Sequence, residues 1–335
     1  MKDKILLRIQ KNFPMVAKPF EEIAKELDTT EEEVLSILQE EKKNNIIRQT
    51  SAIFDTKKLG YKSSLVAFKI DEDKIDAAVE LLNSHPGISH NYERNHSFNI
   101  WFTIAIAPNS QSNLEETIEI LSKLTKADDY IILPTLKLFK ISVKLDTTNK
   151  EAKKEKVAKK EFKKMDLDEY HYNIIKEAQK DIQIISEPFK EAVEKLNMSY
   201  DEFFDMLNQF KDAGVMRRFA SILNHRRAGF NANAMVVWDI DETKGEQIGE
   251  IAASFSAVSH CYLRPKYPTW NYNLFTMIHG KTKEDTQAVI DSIAEEIEYK
   301  DKMPLYSSRE FKKVRIQYFC DDFKSWEDTY IKKSI

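Results

Sequence analysis

The chain has 335 residues, too many for one ordinary core, and its 42% hydrophobic and 11% aromatic content predicts two to four packed units. A net charge of -4 argues against a nucleic-acid binder, and seven glycines leave no Gly-rich phosphate loop for a nucleotide. Cys261 and Cys320, the only two cysteines, offer neither a disulfide framework nor a metal quartet; with no signal peptide and no run of about 18 apolar residues, a cytoplasmic protein without membrane or metal is expected.

The first predicted helix carries Ile5, Leu6 and Ile9 at helical spacing. Pro19 stands at the next helix start, ahead of Phe20, Ile23, Ala24 and Leu27. Thr30-Glu31-Glu32-Glu33 then makes an acidic helix start before Val34, Leu35 and Leu38. Three short helices with a tight turn between the last two predict a helix-turn-helix (winged-helix-like) domain over 1–60. After Gly60 the period changes. Residues 64–70 are β-rich, 74–82 helical, 87–96 alternating, 98–106 strongly β, 114–124 helical and 130–143 β again. The order βαββαβ predicts a ferredoxin-like domain over 61–146. A linker over 147–165 contains K-E-A-K-K-E-K-V-A-K-K-E-F-K-K, a basic contact or, as its composition favours, a solvated charged segment.

The pattern then begins again. Residues 174–178, 188–196 and 200–210 predict a second helix-turn-helix domain over 166–229, followed by a second βαββαβ domain over 230–320 and a C-terminal tail over 321–335. R-Q-T-S-A-I-F-D-T-K-K-L-G from Arg48 matches R-R-F-A-S-I-L-N-H-R-R-A-G from Arg217, and Ser89-His90-Asn91-Tyr92 matches Ser259-His260-Cys261-Tyr262. The fold class is therefore α+β, a tandem duplication expected to form an intramolecular pseudo-dimer. Its two sides are free to differ, as those of a homodimer are not.

In a strand alternate side chains share a face. His90, Tyr92, Arg94 and His96 are thus expected on one face, and His260, Tyr262 and Arg264 on its counterpart. One such strand could be a structural accident; its presence in both repeats points to a pocket. Histidine suits general acid work, Tyr can orient it, and Arg forks onto carboxylates. Cys261 falls on the opposite face from His260, so nucleophilic catalysis is disfavoured. A second cationic cluster comprises Arg217, Arg218, His225, Arg226 and Arg227 in the second repeat, with Arg48, Lys57 and Lys58 in the first. These residues are either solvated hinge charges or a collector of carboxylates. Trp270 and Asn273 follow an insertion, P-K-Y-P-T-W-N, that the first repeat lacks. Trp270 is either ordinary core or a wall for a flat aromatic ligand.

A helix-turn-helix followed by βαββαβ resembles the Lrp/AsnC family of transcription regulators. The candidate recognition helices, however, begin Glu31-Glu32-Glu33 and Tyr200-Asp201-Glu202, and carboxylates oppose a phosphate-lined groove. DNA binding is therefore not expected. The longer motifs H-N-Y-E-R-N-H-S-F-N-I-W-F-T, V-M-R-R-F-A-S-I-L-N-H-R-R-A-G-F-N-A-N-A-M-V-V-W, S-H-C-Y-L-R-P and W-N-Y-N-L-F-T-M-I-H-G are similar to the two subunit types of siroheme decarboxylases.

That resemblance implies a carboxy-lyase that removes two acetate carboxyl groups of siroheme as CO2. The product would be 12,18-didecarboxysiroheme, in alternative heme or denitrification heme biosynthesis. Siroheme would be the substrate and no added cofactor is implied, although its iron is open to ligation by a histidine. The expected proton donors or orienting groups are His225, His260, His90 and His96, assisted by Tyr262 and Tyr92. The expected substrate contacts are Arg48, Arg94, Arg217, Arg218, Arg226, Arg264, Trp270 and Asn273. A self-contained pseudo-dimer is expected, which could also form a homodimer. The alternative reading is a regulator that senses a tetrapyrrole or an amino acid.

Overall fold

A computed structural model describes residues 1–11, 13–141, 165–223, 232–280 and 282–331. The first repeat opens with α1 (Lys2–Lys11), α2 (Pro19–Glu26), α3 (Glu31–Lys43) and β1 (Ile47–Phe54). Pro19 suits the first turn of α2, where its missing N–H has no helical partner to lose. The Thr30 hydroxyl caps α3 by accepting the Glu33 N–H. Then come β2 (Lys62–Lys69), α4 (Ile75–Ser84), β3 (Ile88–Arg94), β4 (Ile100–Ile106), α5 (Leu114–Thr125), β5 (Asp129–Leu133) and β6 (Lys137–Ile141). The second repeat runs α6 (Glu169–Ala178), α7 (Lys190–Leu196), α8 (Tyr200–Asp212), β7 (Met216–Leu223), β8 (Ala232–Asp239), α9 (Gly245–Ser254) and β9 (Val258–Leu263). It ends with β10 (Leu274–Gly280), α10 (Lys283–Glu296), β11 (Asp301–Lys313) and α11 (Asp322–Tyr330).

The described residues form two compact units, each drawing on both repeats. Of these residues, one unit draws on 1–61, 165–223 and 317–321, the other on 62–141, 232–316 and 322–331.

The helical unit is organised about an antiparallel ribbon of β1 and β7. Ser51 pairs with Ala220 and Thr50 with Ser221. Ser51 and Ala220 hold the same place in the two repeats, so the ribbon has a pseudo-two-fold between them. The buried Thr50 and Ser221 hydroxyls share a 2.7 Å hydrogen bond there. Phe219 on β7 meets Phe13 of the first repeat and Phe189 of the second, tying both sets of helices to the ribbon. Residues 317–319, expected at the end of the second βαββαβ domain, pack here instead. The Tyr318 N–H donates to Gln179 Oε1, the Phe319 N–H donates to the Tyr61 hydroxyl, and the Phe319 ring stacks on Tyr172 with centroids 3.9 Å apart.

The sheet unit has one nine-stranded sheet in the order β5-β2-β4-β3-β11-β8-β10-β9-β6. The first and last strands in that order, β5 and β6, are consecutive in the chain. The region 130–143 was expected as one strand. Pro134, with no N–H to donate, separates β5 from β6, whereas β11 continues unbroken for 13 residues. Each repeat's last strand crosses to the other repeat. β6 pairs with β9, and the second half of β11 pairs with β3. The crossing is reciprocal in its details: Lys140 Nζ donates to the Phe255 carbonyl at 2.7 Å, and Lys312 Nζ donates to the His85 carbonyl at 3.2 Å. Gly249 makes room for the crossing, since a Cβ there would lie 2.3 Å from the Phe139 ring.

Helices cover one face of each half. Val66, Phe102 and Ile104 pack beneath α4 and α5, and Val236, Cys261 and Ile278 beneath α9 and α10. The segment expected as a tail, 321–335, instead contributes α11, whose Trp326 joins the first of these cores. The other faces meet each other. Ala67, Trp101, Ile131 and Leu133 of the first repeat pack against Met235, Val237, Phe275 and Leu305 of the second. This face-to-face packing within one chain is the intramolecular pseudo-dimer.

Candidate active site on the inner sheet faces

The alternation of β3 and β9 sorts their side chains. Tyr262 packs on the inter-sheet cluster, while Cys261 turns to the helices with its Sγ 3.6 Å from the Gly249 carbonyl. Burial pushes the Cys261 thiol up to about 12, which leaves no thiolate for nucleophilic work. On the inner face the two repeats show the same arrangement. His90 Nδ1 lies 3.0 Å from Ser89 Oγ, and His260 Nδ1 lies 2.7 Å from Ser259 Oγ. His90 stacks on Tyr92 at 6.3 Å and His260 on Tyr262 at 6.1 Å between centroids. Arg94 lies over the Tyr92 ring at 5.6 Å and Arg264 over Tyr262 at 4.9 Å.

Arg94 and Arg264 were expected as carboxylate clamps. They are instead buried, 6% and 8% exposed, and each points at main chain of the other repeat. Arg94 Nη1 donates to the Leu305 carbonyl at 2.8 Å, and Arg264 Nη1 donates to the Leu133 carbonyl. Among the described residues neither has an acidic partner, and both Nε atoms are buried without an acceptor. Burial lowers both guanidinium groups to about 10, so they stay charged at neutral pH.

The repeats differ beside the histidines. In the second, Ser259 Oγ also lies 2.6 Å from His279 Nε2, and His279 Nδ1 lies 2.7 Å from Asn233 Oδ1. Burial lowers the pKa of both imidazoles, with His279 adding to the effect on His260 and Lys313 to that on His279. In the first repeat Ser89 Oγ meets Thr103 Oγ1 at 2.8 Å. Thr103 and Met277 are the residues opposite His90 and His260, so the counterpart of His279 is Ala105. Sequence reasoning missed His279. Its signal was a histidine two residues beyond the one paired with His260, legible only once that pairing is known.

Three other expectations are corrected. β3 ends at Arg94, so His96 lies in the following turn rather than on the strand face. There its Nδ1 accepts the Phe98 N–H at 3.0 Å. Trp270 is 2% exposed and touches His96, Trp101, Tyr272 and Phe275 edge-on or tilted, so it is core rather than an open wall. Asn273 is 1% exposed and its amide bonds to the main chain of Ile240, as that of Asn99 does to Ile70. Arg48, Arg217 and Arg218 are exposed residues of the ribbon in the helical unit, where Arg217 pairs with Asp55 at 2.8 Å. His225 and Arg226 lie outside the described residues.

The remaining histidines are structural. His85 is buried against Trp326 and accepts the Gly87 N–H, and His171 closes a capping box with Asp168. A shallow groove of about 520 Å³ lined by Ile182, Ile185, Pro188 and Phe203 holds none of the expected site residues. Among the described residues no cluster of His, Cys, Asp or Glu could hold a metal ion, and no helix is long and apolar enough to cross a membrane.

Known proteins share this fold over nearly the whole length of the chain. Residues 58–140 and 227–312 match the model of the AsnC-like ligand binding domain, and residues 2–48 and 172–217 that of the siroheme decarboxylase NirDL-like HTH domain. The chain is 40% identical to a siroheme decarboxylase of Hydrogenobacter thermophilus, over 97% of this chain and 96% of that one. It is 41% identical to the siroheme decarboxylase beta subunit of Methanosarcina barkeri, over 45% of this chain and 99% of the subunit. Crystal structures of the siroheme decarboxylase NirDL, alone and in co-complex with an iron-uroporphyrin III analogue, superpose with a TM-score of 0.82 at 34% identity, covering 99% of both chains.

Proposed function

The chain belongs to the siroheme decarboxylase family, and we propose that it is a carboxy-lyase removing two acetate carboxyl groups of siroheme as CO2 to give 12,18-didecarboxysiroheme. One observation carries the proposal. The same Ser–His–Tyr–Arg geometry stands twice on the inner faces of the sheet, in a chain matched over 97% of its length by a siroheme decarboxylase.

Loss of CO2 from a pyrrole acetate leaves an electron pair that the macrocycle can delocalise, and the carbon then takes a proton. The protein must favour an anionic substrate, exclude water and present an acid. Arg94 and Arg264 supply positive charge without an acidic partner among the described residues, which favours carboxylate-bearing ligands without direct contact. The aromatic cluster around Trp270 keeps the inner faces dry. His260 is held through Nδ1 by Ser259, which leaves Nε2 to deliver the proton, and Tyr262 fixes the ring by stacking. His90 and Tyr92 repeat this without a second histidine, so the second repeat is assigned the greater share of the chemistry. His225 is retained as a second candidate donor.

A sensing regulator is the other reading of this fold. The first turns of α3 and α8 carry Glu31, Glu32 and Glu33, and Asp201 and Glu202, which disfavour a phosphate-lined groove. Anaerobic incubation with siroheme, followed by mass analysis of the tetrapyrrole, tests the proposal. Loss of two carboxyl groups is expected, and recovery of intact siroheme would overturn it.

A further inference from the structure

The inner-face network of the second repeat reaches one residue further than the duplicated motif requires. Asn233 Oδ1 can only accept, so at 2.7 Å it takes a hydrogen from His279 Nδ1. The His279 tautomer is thereby fixed, and its Nε2 faces Ser259 Oγ at 2.6 Å. The same hydroxyl faces His260 Nδ1 at 2.7 Å. A hydroxyl both donates and accepts, so the two imidazoles are joined by an unbroken chain of exchangeable hydrogens. Resting on the decarboxylase reading above, we propose that His279 is a positioning residue that resupplies His260 with its proton through Ser259, making the second repeat a two-histidine relay.

The proton balance closes. Before transfer, His279 takes up a proton from solvent on Nε2 and so carries hydrogens on both ring nitrogens, Ser259 donates to His260 Nδ1, and His260 holds a hydrogen on Nε2. When CO2 leaves, the electron pair on the substrate carbon takes the His260 Nε2 hydrogen. Ser259 gives its hydrogen to His260 Nδ1 and receives the Nε2 hydrogen of His279. His279 ends neutral with Nδ1 still bonded to Asn233, Ser259 donates back to His279 Nε2, and one proton has passed to carbon. In the first repeat Ala105 stands where His279 does, and Ser89 meets the Thr103 hydroxyl instead.

The test uses the full chain in single-turnover reactions with siroheme, with binding read separately from the absorbance of the tetrapyrrole. H279A is expected to bind siroheme within about twofold of wild type and to decarboxylate it at least about tenfold more slowly. Added imidazole should restore part of that rate. H279Q can bond to Ser259 but cannot carry the proton, so it should stay slow. Combining H279A with S259A should add little to either alone, because both cut one chain. If H279A does not fold, as judged by circular dichroism, H279Q decides. Wild-type rates in H279A, or in H279Q, would overturn the relay and leave a structural histidine. A wild-type chain that releases no CO2 would overturn the decarboxylase reading itself, and the relay with it.

Discussion

Arg94 and Arg264 are mates across the pseudo-two-fold, each donating to the same carbonyl of the opposite repeat, Leu305 for Arg94 and Leu133 for Arg264. Two guanidinium groups are thus held charged and buried in one seam, with no carboxylate beside them among the described residues. Stability alone does not call for this, since a buried charge can often be replaced by an apolar side chain of similar volume at little loss.

Arg264→Met and Arg94→Met keep the packed stem and remove the charge. Each leaves one carbonyl unpaired, which costs about 1–3 kcal/mol. Affinity for siroheme, titrated by absorbance, is expected to fall about tenfold in each, roughly one charge interaction across a screened distance. Unchanged affinity would reduce both arginines to struts of the seam.

Trp270 separates a core role from a ligand wall. As core, Trp270→Ala should lower stability by about 3–5 kcal/mol, read from the urea midpoint. A small stability change with a large loss of siroheme affinity would show an open wall instead.

His85 predicts an acid limit. Burial, aided by Lys312, lowers it from an ordinary 6.5 to about 3. Between those values the unfolded chain binds the extra proton and the folded chain does not. Stability is therefore intact above pH 6.5 and falls as pH drops towards 3, by about 1.4 kcal/mol per unit. His85→Asn keeps an acceptor for the Gly87 N–H and cannot titrate, so denaturation curves across this window should flatten. An unchanged slope would assign the acid sensitivity elsewhere.

DNA affinity should be negligible at physiological salt, because α3 and α8 open on carboxylates. Fluorescence anisotropy with labelled duplexes over a salt series checks this. Tight binding that falls steeply with salt would contradict it.

The helices and most strands were legible because Ile5, Ile9, Val34 and Leu38, or Val66 and Phe68, repeat at the spacing their elements require. What periodicity does not report is the partner. β1 and β7 were read as repeated motifs because nothing in Arg48 to Gly60 says that its partner is its own copy 169 positions on, the difference between Ala220 and Ser51. The crossing of β6 and β11 was hidden for the same reason. At the site, the shared face of His90, Tyr92 and Arg94 followed from alternation, but the depth of Arg94 did not. Trp270 sits in an insertion whose path only packing fixes, Asn273 follows it, and His279 falls near the end of a mostly apolar strand.

Product analysis of anaerobic single-turnover reactions, comparing wild type with His260→Ala and His90→Ala, tests the central claim most directly. Wild type should convert siroheme to its didecarboxylated form. His260→Ala should be slower by about 10²-fold or more, as for loss of a general acid, and His90→Ala less impaired. Siroheme left intact by the wild-type chain would contradict the assigned reaction. A severe loss in His90→Ala beside a wild-type rate in His260→Ala would move the chemistry to the first repeat.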